Sequence, residues 1–291
     1  MGIKFHTPDA STYNIFDGDA FVEIIGWAAK DDSDETHVLH SMKMMLENSR
    51  EATPAQHEYI YLGDLGRSNF RYAIAKTPVI KHRGKPKEYI IDGYKGNRVG
   101  REKPKHYQLL RNYLVEYHRA MIVECIETDD MLGIQATKPN RKATIHTHDK
   151  DLNMVECDIY NLNTRTLHTF DDTWVLELND KGKLYGRGWP WFMAQMLMGD
   201  GGDNIPGIPG YGDKTTFRDL TKLYTRENYF LMTWGIYKEY YKSIYPSCQD
   251  WPMHTIVDCK ERYLEIAQLL WMQVDDLRDI KTYLENNYAF D

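Results

Sequence analysis

Cysteine is scarce. Cys125, Cys157, Cys248 and Cys259 are the four in 291 residues, and no two stand in Cys-x-x-Cys spacing. A zinc site or a dithiol redox motif is therefore not expected. So little cysteine suits a reducing compartment. No stretch of roughly 18 apolar residues occurs, so no membrane span and no membrane partner are expected. Met1 to Tyr13 has no apolar core followed by a small-residue cleavage site. A secretory leader is not expected, and the chain is read as cytoplasmic.

Several catalytic signatures are missing too. No Gly-x-Gly-x-x-Gly follows the first expected strand, which argues against a dinucleotide site. No Gly-Lys-Ser/Thr follows four variable residues after a glycine, so there is no Walker A loop. The acidic turns lack the acceptor spacing of a calcium-binding EF-hand loop. No serine–histidine–acid arrangement, internal repeat or low-complexity tract is evident. Net positive charge is also absent: 36 Lys and Arg face 43 Asp and Glu, a formal charge of −7. Taken as a total, that argues against nucleic acid. The distribution argues otherwise. Residues 81–111 carry ten Lys or Arg against three Asp or Glu, and such a patch is what a nucleic acid would meet.

The remainder is ordinary for a globular protein, with 42% hydrophobic and 27% charged residues. The length fits one large or two modest domains. Periodicity predicts an α/β region over 1–185 and a mainly helical region over 186–291. Strands are expected at Asn14–Asp19, Glu58–Asp64, from Met121, and over Ala143–Leu152, with shorter ones in 157–184. Helices are expected at Phe21–Ala29, His37–Ser49, Tyr107–Met121 (Leu110, Leu114 and Tyr117 inward), from Thr128, and at Trp189–Met198 and Thr215–Leu223. A tyrosine-rich helix over 228–245 and a last one through Tyr263, Ile266, Leu270 and Val274 complete the reading. The basic segment 77–111 is poor in aliphatic residues and reads either as a solvated loop or as a backbone-gripping element.

Carboxylates recur where strands end: Asp17, Asp64, the Glu127/Asp129/Asp130 cluster, and the Asp149/Asp151 pair. Each has a plain alternative as a helix cap or polar turn. In a parallel sheet all those ends point to one edge. Carboxylates crowded there repel and raise one another's pKa unless hard divalent cations join them. Two such ions about 4 Å apart suit phosphodiester hydrolysis. His146 and His148 alternate along one strand, which leaves a zinc pair as a further alternative.

The stretch Met196 to Thr216 adds a fifth acidic pair, Asp200 and Asp203. It then runs through Ile205-Pro206-Gly207-Ile208-Pro209-Gly210-Tyr211-Gly212-Asp213-Lys214. Glycines there let the backbone approach a ligand closely. Together with Phe16-Asp17-Gly18-Asp19, Leu62-Gly63-Asp64, Tyr94-Lys95-Gly96-Asn97-Arg98, Glu127-Thr128-Asp129-Asp130 and Thr147-His148-Asp149-Lys150-Asp151-Leu152, the chain resembles the 5′-nuclease (flap endonuclease, 5′–3′ exonuclease) superfamily in its phage branch. The likeness runs from about residue 14 to 216. Thr128 stands where many members carry alanine or glycine.

The resemblance implies an α/β fold with a central, mostly parallel sheet, flanking helices, a basic arch within about 77–111, and a helix–two-turn–helix DNA clamp in the helical region, which also completes the metal site. It implies a 5′–3′ exonuclease or flap endonuclease releasing 5′-phosphate products. Two magnesium ions are implied, with manganese as a substitute. One would take Asp17, Asp64, Glu127 and Asp129; the other Asp149, Asp151, Asp200 and Asp203, with Asp130 behind. A potassium ion at the clamp is a further expectation. Lys95 and Arg98 are expected beside the scissile phosphate, with Arg67 and Arg71 as the fallback pair. Gly207, Gly210, Gly212 and Lys214 are expected to hold duplex phosphates. Duplex, nicked or flapped DNA and RNA/DNA hybrids are the implied partners of a monomer, in a bacterial host's cytoplasm if the chain is phage-encoded. A PIN-type ribonuclease and a non-catalytic duplex-binding module are the rival readings.

Overall fold

The computed structural model describes residues 11–29, 33–64, 69–75, 93–98, 100–244 and 259–291. Arg67, Cys248 and the whole 77–92 stretch of the basic segment lie outside the described residues.

The first strand, β1 (Ser11–Asp17), sits in the middle of the main sheet, and Ile15 and Phe16 are both fully buried. Burial on both faces is what a central parallel strand requires. Its last residue, Asp17, caps α1 (Gly18–Ala28) by accepting from the Ala20 amide at 3.0 Å. Next, α2 (Glu35–Ala52) starts at an Asp34 cap and buries Val38, Met42, Leu46 and Ser49 on one stripe. The strand β2 (His57–Gly63) and the short α3 (Phe70–Ile74) follow. After the basic segment come α4 (Tyr107–His118), β3 (Met121–Val123), α5 (Thr128–Ala136) and β4 (Arg141–Thr147). Then β5 (Asp158–Asn161) and β6 (Thr166–His168) close the sheet, and β7 (Val175–Leu178) pairs with β8 (Leu184–Arg187) in a hairpin.

The main sheet has the order β3-β2-β1-β4-β5-β6. Its first five strands are parallel and β6 is antiparallel to β5. The order reverses between β1 and β4. In open sheets of this kind, ligands sit beyond the strand carboxyl ends at such a switch.

The C-terminal part begins with α6 (Trp189–Met198), nine of whose ten residues are buried. It therefore serves as a core helix, not a surface one. A two-residue ladder joins β9 (Gly199–Asp200) to β10 (Ile205–Pro206). The helices α7 (Asp213–Leu220), α8 (Arg226–Ile244), α9 (Cys259–Leu270) and α10 (Ile280–Asn287) follow. One apolar cluster lies under α1, α2 and α4. The larger one runs from Ile15 to Leu284 and ties the sheet to α6, α8 and α9 across residue 185.

Four expectations are corrected. Tyr117 is 72% exposed, because the inward stripe of α4 is Leu110, Arg111 and Leu114. The last apolar stripe is two helices: α9 stops at Leu270, and Val274 bridges to Leu277 before α10. The strand β4 stops at Thr147, short of the aspartates. His146 and His148 accordingly do not form a pair on one face. His146 is fully buried between Phe16 and Tyr160, its Nε2 is 3.0 Å from the Thr53 hydroxyl, and burial pushes its pKa down to about 3. It is a core side chain.

Candidate active site

A cleft of about 540 Å³ opens at the carboxyl edge of the sheet. Asp17, Asp64, Glu127, Asp129 and Asp149 line it, with Lys95 and Arg98. Each carboxylate arrives for a local reason. Asp17 ends β1, and its other oxygen accepts from the Thr147 hydroxyl at 2.8 Å, across the β1–β4 switch. Asp64 follows β2, and its amide donates to the Val123 carbonyl at 3.0 Å. Glu127 is the N-cap of α5, and Asp129 lies in the first turn. Asp149 lies just past β4, where its amide donates to the Thr147 hydroxyl and its side chain accepts from the Asp151 amide.

Asp200 and Asp203 come from the β9–β10 turn. That turn is held by a close backbone crossing: Gly199 has φ +69°, and a Cβ on Gly207 would collide with the Met198 carbonyl. Only glycine fits there. Asp203 reaches the cleft rim. Arg98 pairs with it, Tyr94 donates to it at 3.1 Å, and Lys95 Nζ is 3.5 Å away. Lys95 also meets Glu127 at 2.5 Å, and the Tyr94 hydroxyl lies 3.0 Å from both Glu127 oxygens. Asp151 and Asp200 are bridged by Lys150, which contacts both, and Gln195 donates to Asp151.

The electrostatics follow from burial and crowding. Burial, then Asp19 and Asp149, push Asp17 up to about 7. Burial, then Asp149 and Asp17, hold Asp129 well above the ordinary carboxylate range. Burial, then Asp149 and Asp200, push Asp151 up to about 8. Glu127 goes the other way: burial raises it, but Lys95 and Arg71 more than reverse that. The donors are oxygens throughout, which fits hard divalent cations. Among the described residues, however, no three His, Cys, Asp or Glu side chains are gathered tightly enough to hold a metal. Lys95, Arg98 and Lys150 are the counter-charges instead.

Arg71 and Asp130 do not stand in the cleft. Both are fully buried and paired at 2.5 Å. Arg71 also donates to the Leu269 and Trp271 carbonyls, and Asp130 accepts from the Gln273 amide. The pair locks α3 and α5 to the end of α9, so Arg71 is out of reach of a phosphate. In the glycine-rich turn, the Ile208 and Tyr211 amides are already bonded to the Leu197 and Ile208 carbonyls. Gly210 and Gly212 are exposed with open space around them, and Lys214 is exposed on α7.

The cleft also holds residues not singled out from sequence: Asp19, Tyr107, Arg111 and, on its basic wall, Arg101 and Lys103. The Gly18-Asp19 repeat of a glycine–aspartate step was a usable signal. Arg111 gave none, since it reads as one more cation of the basic segment.

No protein-family model matches the chain. An exodeoxyribonuclease of Enterobacteria phage T3 is 31% identical over 139 residues, which covers 44% of this chain and 40% of that protein. A 5′-3′ exonuclease of Buchnera aphidicola (subsp. Schizaphis graminum) is 26% identical over 198 residues, covering 66% and 62%. A flap endonuclease Xni of Shewanella piezotolerans is 29% identical over 125 residues, covering 40% and 48%. The chain thus spans less than two thirds of the length of these relatives. Among solved structures, a T5 protein co-crystallised with metal ions shares 16% identity at a TM-score of 0.48, covering 95% of this chain and 100% of that one. The chain therefore resembles 5′-nucleases of the exonuclease and flap endonuclease kind, at low identity and over part of its length.

Proposed function

We propose that the chain is a divalent-metal-dependent 5′–3′ exonuclease and flap endonuclease. It hydrolyses phosphodiesters of duplex, nicked or flapped DNA, and of RNA in hybrids, leaving 5′-phosphates. The observation that carries this reading is the convergence of carboxylates from three parallel strand ends and the start of α5, with Lys95 and Arg98 set over them. The names of the relatives point the same way.

In this reading Asp17, Asp64, Glu127 and Asp129 hold one magnesium ion, and Asp149, Asp151, Asp200 and Asp203 hold the second. Bound ions would supply an activated water and a stabilised leaving oxygen. The chain's own groups do the rest. Lys95 and Arg98 leave their carboxylates and turn to the scissile phosphate, whose non-bridging oxygens gain charge during attack. The Tyr94 hydroxyl bridges Glu127 and Asp203 and so sets their spacing. The basic segment acts as the arch. Gly210, Gly212 and Lys214 hold duplex phosphates away from the cut, with a potassium ion at that turn; this positions the duplex without reading bases.

The test is a magnesium-dependent digestion of 5′-labelled duplex, nicked and flap substrates beside single-stranded RNA. Short 5′-phosphate products from the DNA substrates are expected. Digestion of the RNA alone would favour a PIN-type ribonuclease, and binding without cleavage a duplex-binding module.

A further inference from the structure

Asp19 lines the same cleft as the metal-type carboxylates, two residues after Asp17. Its bonding sets it apart. Oδ1 accepts from Arg111 at 2.6 Å, and Oδ2 accepts from the Gly63 amide at 2.7 Å and the Thr128 hydroxyl at 2.9 Å. Arg111 is 4% exposed and donates its second amino group to the Gly63 carbonyl at 2.5 Å. Gly63 is thus gripped at both its amide and its carbonyl. A Cβ there would sit 2.9 Å from the Thr128 hydroxyl and 3.1 Å from Asp19, so a side chain would wedge the group apart.

The partners of this group are each next to a carboxylate of the cleft. Gly63 precedes Asp64. Thr128 stands between Glu127 and Asp129. Asp19 belongs to the turn that starts at Asp17. Four elements meet there: the start of α1, which carries Asp19, the end of β2, the start of α5, and α4, which carries Arg111.

Resting on the nuclease reading, we propose that Arg111 is a positioning residue that clamps Asp19, and through it fixes the spacing of Asp17, Asp64, Glu127 and Asp129. Asp19 is then not a metal ligand, although it lies in the cleft. Its two oxygens are engaged by three donors, one of them a buried guanidinium. Partners that orient ligands in this way hold rotamers and spacing, not the ion itself.

The experiment compares Arg111→Gln, Asp19→Asn and the double variant with the wild-type chain. Three readouts are taken: single-turnover cleavage of a 5′-flap in Mg²⁺, Mn²⁺ binding followed by electron paramagnetic resonance without DNA, and DNA affinity in Ca²⁺. Each single variant should slow cleavage and weaken Mn²⁺ by about 10- to 100-fold, the range for losing an orienting partner. DNA affinity should stay within about threefold, and the double variant should match the worse single, as residues acting through one contact do. Arg111→Lys, which keeps the charge, should recover part of the loss. Tighter Mn²⁺ binding by Arg111→Gln would overturn the proposal, since it would expose Asp19 as a masked ligand. So would losses that multiply in the double variant, or no loss at all.

If Arg111→Gln does not fold, Thr128→Val removes one hydroxyl from Asp19 and leaves the ion pair. Weaker Mn²⁺ binding is expected there, and unchanged binding and rate overturn the clamp. A wild-type chain that cleaves no substrate defeats the nuclease reading instead, and the Mn²⁺ readout then still decides on the clamp.

Discussion

Lys95 is fixed to Asp203 by its backbone and to Glu127 by its side chain. Its amide donates to the Asp203 carbonyl at 2.9 Å, while its Nζ stands 2.5 Å from Glu127 Oε1. The residue sits in the left-handed region, at φ +54°. A non-glycine residue there costs roughly 1 kcal/mol or more and persists where its surroundings over-determine it. These two bonds do so, and they join the basic segment to both halves of the cleft.

Lys95→Ala should therefore reduce chemistry more than binding. A cation that meets charge developing on the phosphate helps the transition state more than the ground state. Single-turnover cleavage at saturating Mg²⁺ should fall by roughly 10²-fold, about 2.7 kcal/mol. DNA affinity in Ca²⁺ should change little. Arg98, 45% exposed at its side chain, should act in the same direction with a smaller loss. An intact rate with weakened binding would place Lys95 among the phosphate-gripping residues.

Asp129→Asn keeps size and removes charge at the most crowded point of the cleft. Cleavage should nearly vanish while DNA still binds, and Asp64→Asn should behave alike. Near-normal cleavage by either at limiting Mg²⁺ would remove that residue from the metal set.

Arg71→Ala acts on stability first. It leaves the Asp130 carboxylate fully buried without its cation. Removing one partner of such a pair costs about 3–5 kcal/mol. The urea midpoint should drop accordingly. A loss below about 1 kcal/mol, the worth of a surface pair, would mean that Asp130 finds solvent.

The pH dependence of stability has a definite sign. Asp17 is raised from 3.8 to about 7 and Asp151 from 3.8 to about 8. Without metal, the folded protein keeps protons that the unfolded chain releases. This contribution is full below pH 3.8 and is lost as pH rises through about 7 and 8. A divalent cation takes the place of those protons. Its effect on Tm should be larger near pH ~8.5 than near pH ~5.5, where protons compete with it. Equal shifts at both would separate these aspartates from the cation.

Lys214→Ala tests the clamp. Duplex affinity should weaken similarly across sequences, and the salt slope should shrink by about one unit. Loss confined to one sequence would mean base reading, not phosphate holding.

The sequence by itself determined the local elements and the order of the carboxylates. Alternation and apolar stripes placed β1, β2, α2 and α6, because a buried face must repeat with the period of its element. The strand-end rule put Asp17 and Asp64 at one edge, because parallel strands all finish at the same side of the sheet. Pairing across the chain was beyond it. Arg71 read as a fallback phosphate contact and Arg111 as a member of the basic stretch, yet each is neutralised by a carboxylate from another element: Asp130, 59 residues later, and Asp19, 92 residues earlier. Nothing in a run of residues says which cation faces solvent and which is buried, since that depends on what packs above it. His146 shows the same limit: strand alternation put it beside His148, and only the end of β4 at Thr147 and the rings of Phe16 and Tyr160 made it core. Local periodicity is encoded within a few residues. Charge partnership is a property of distances that only the folded chain sets.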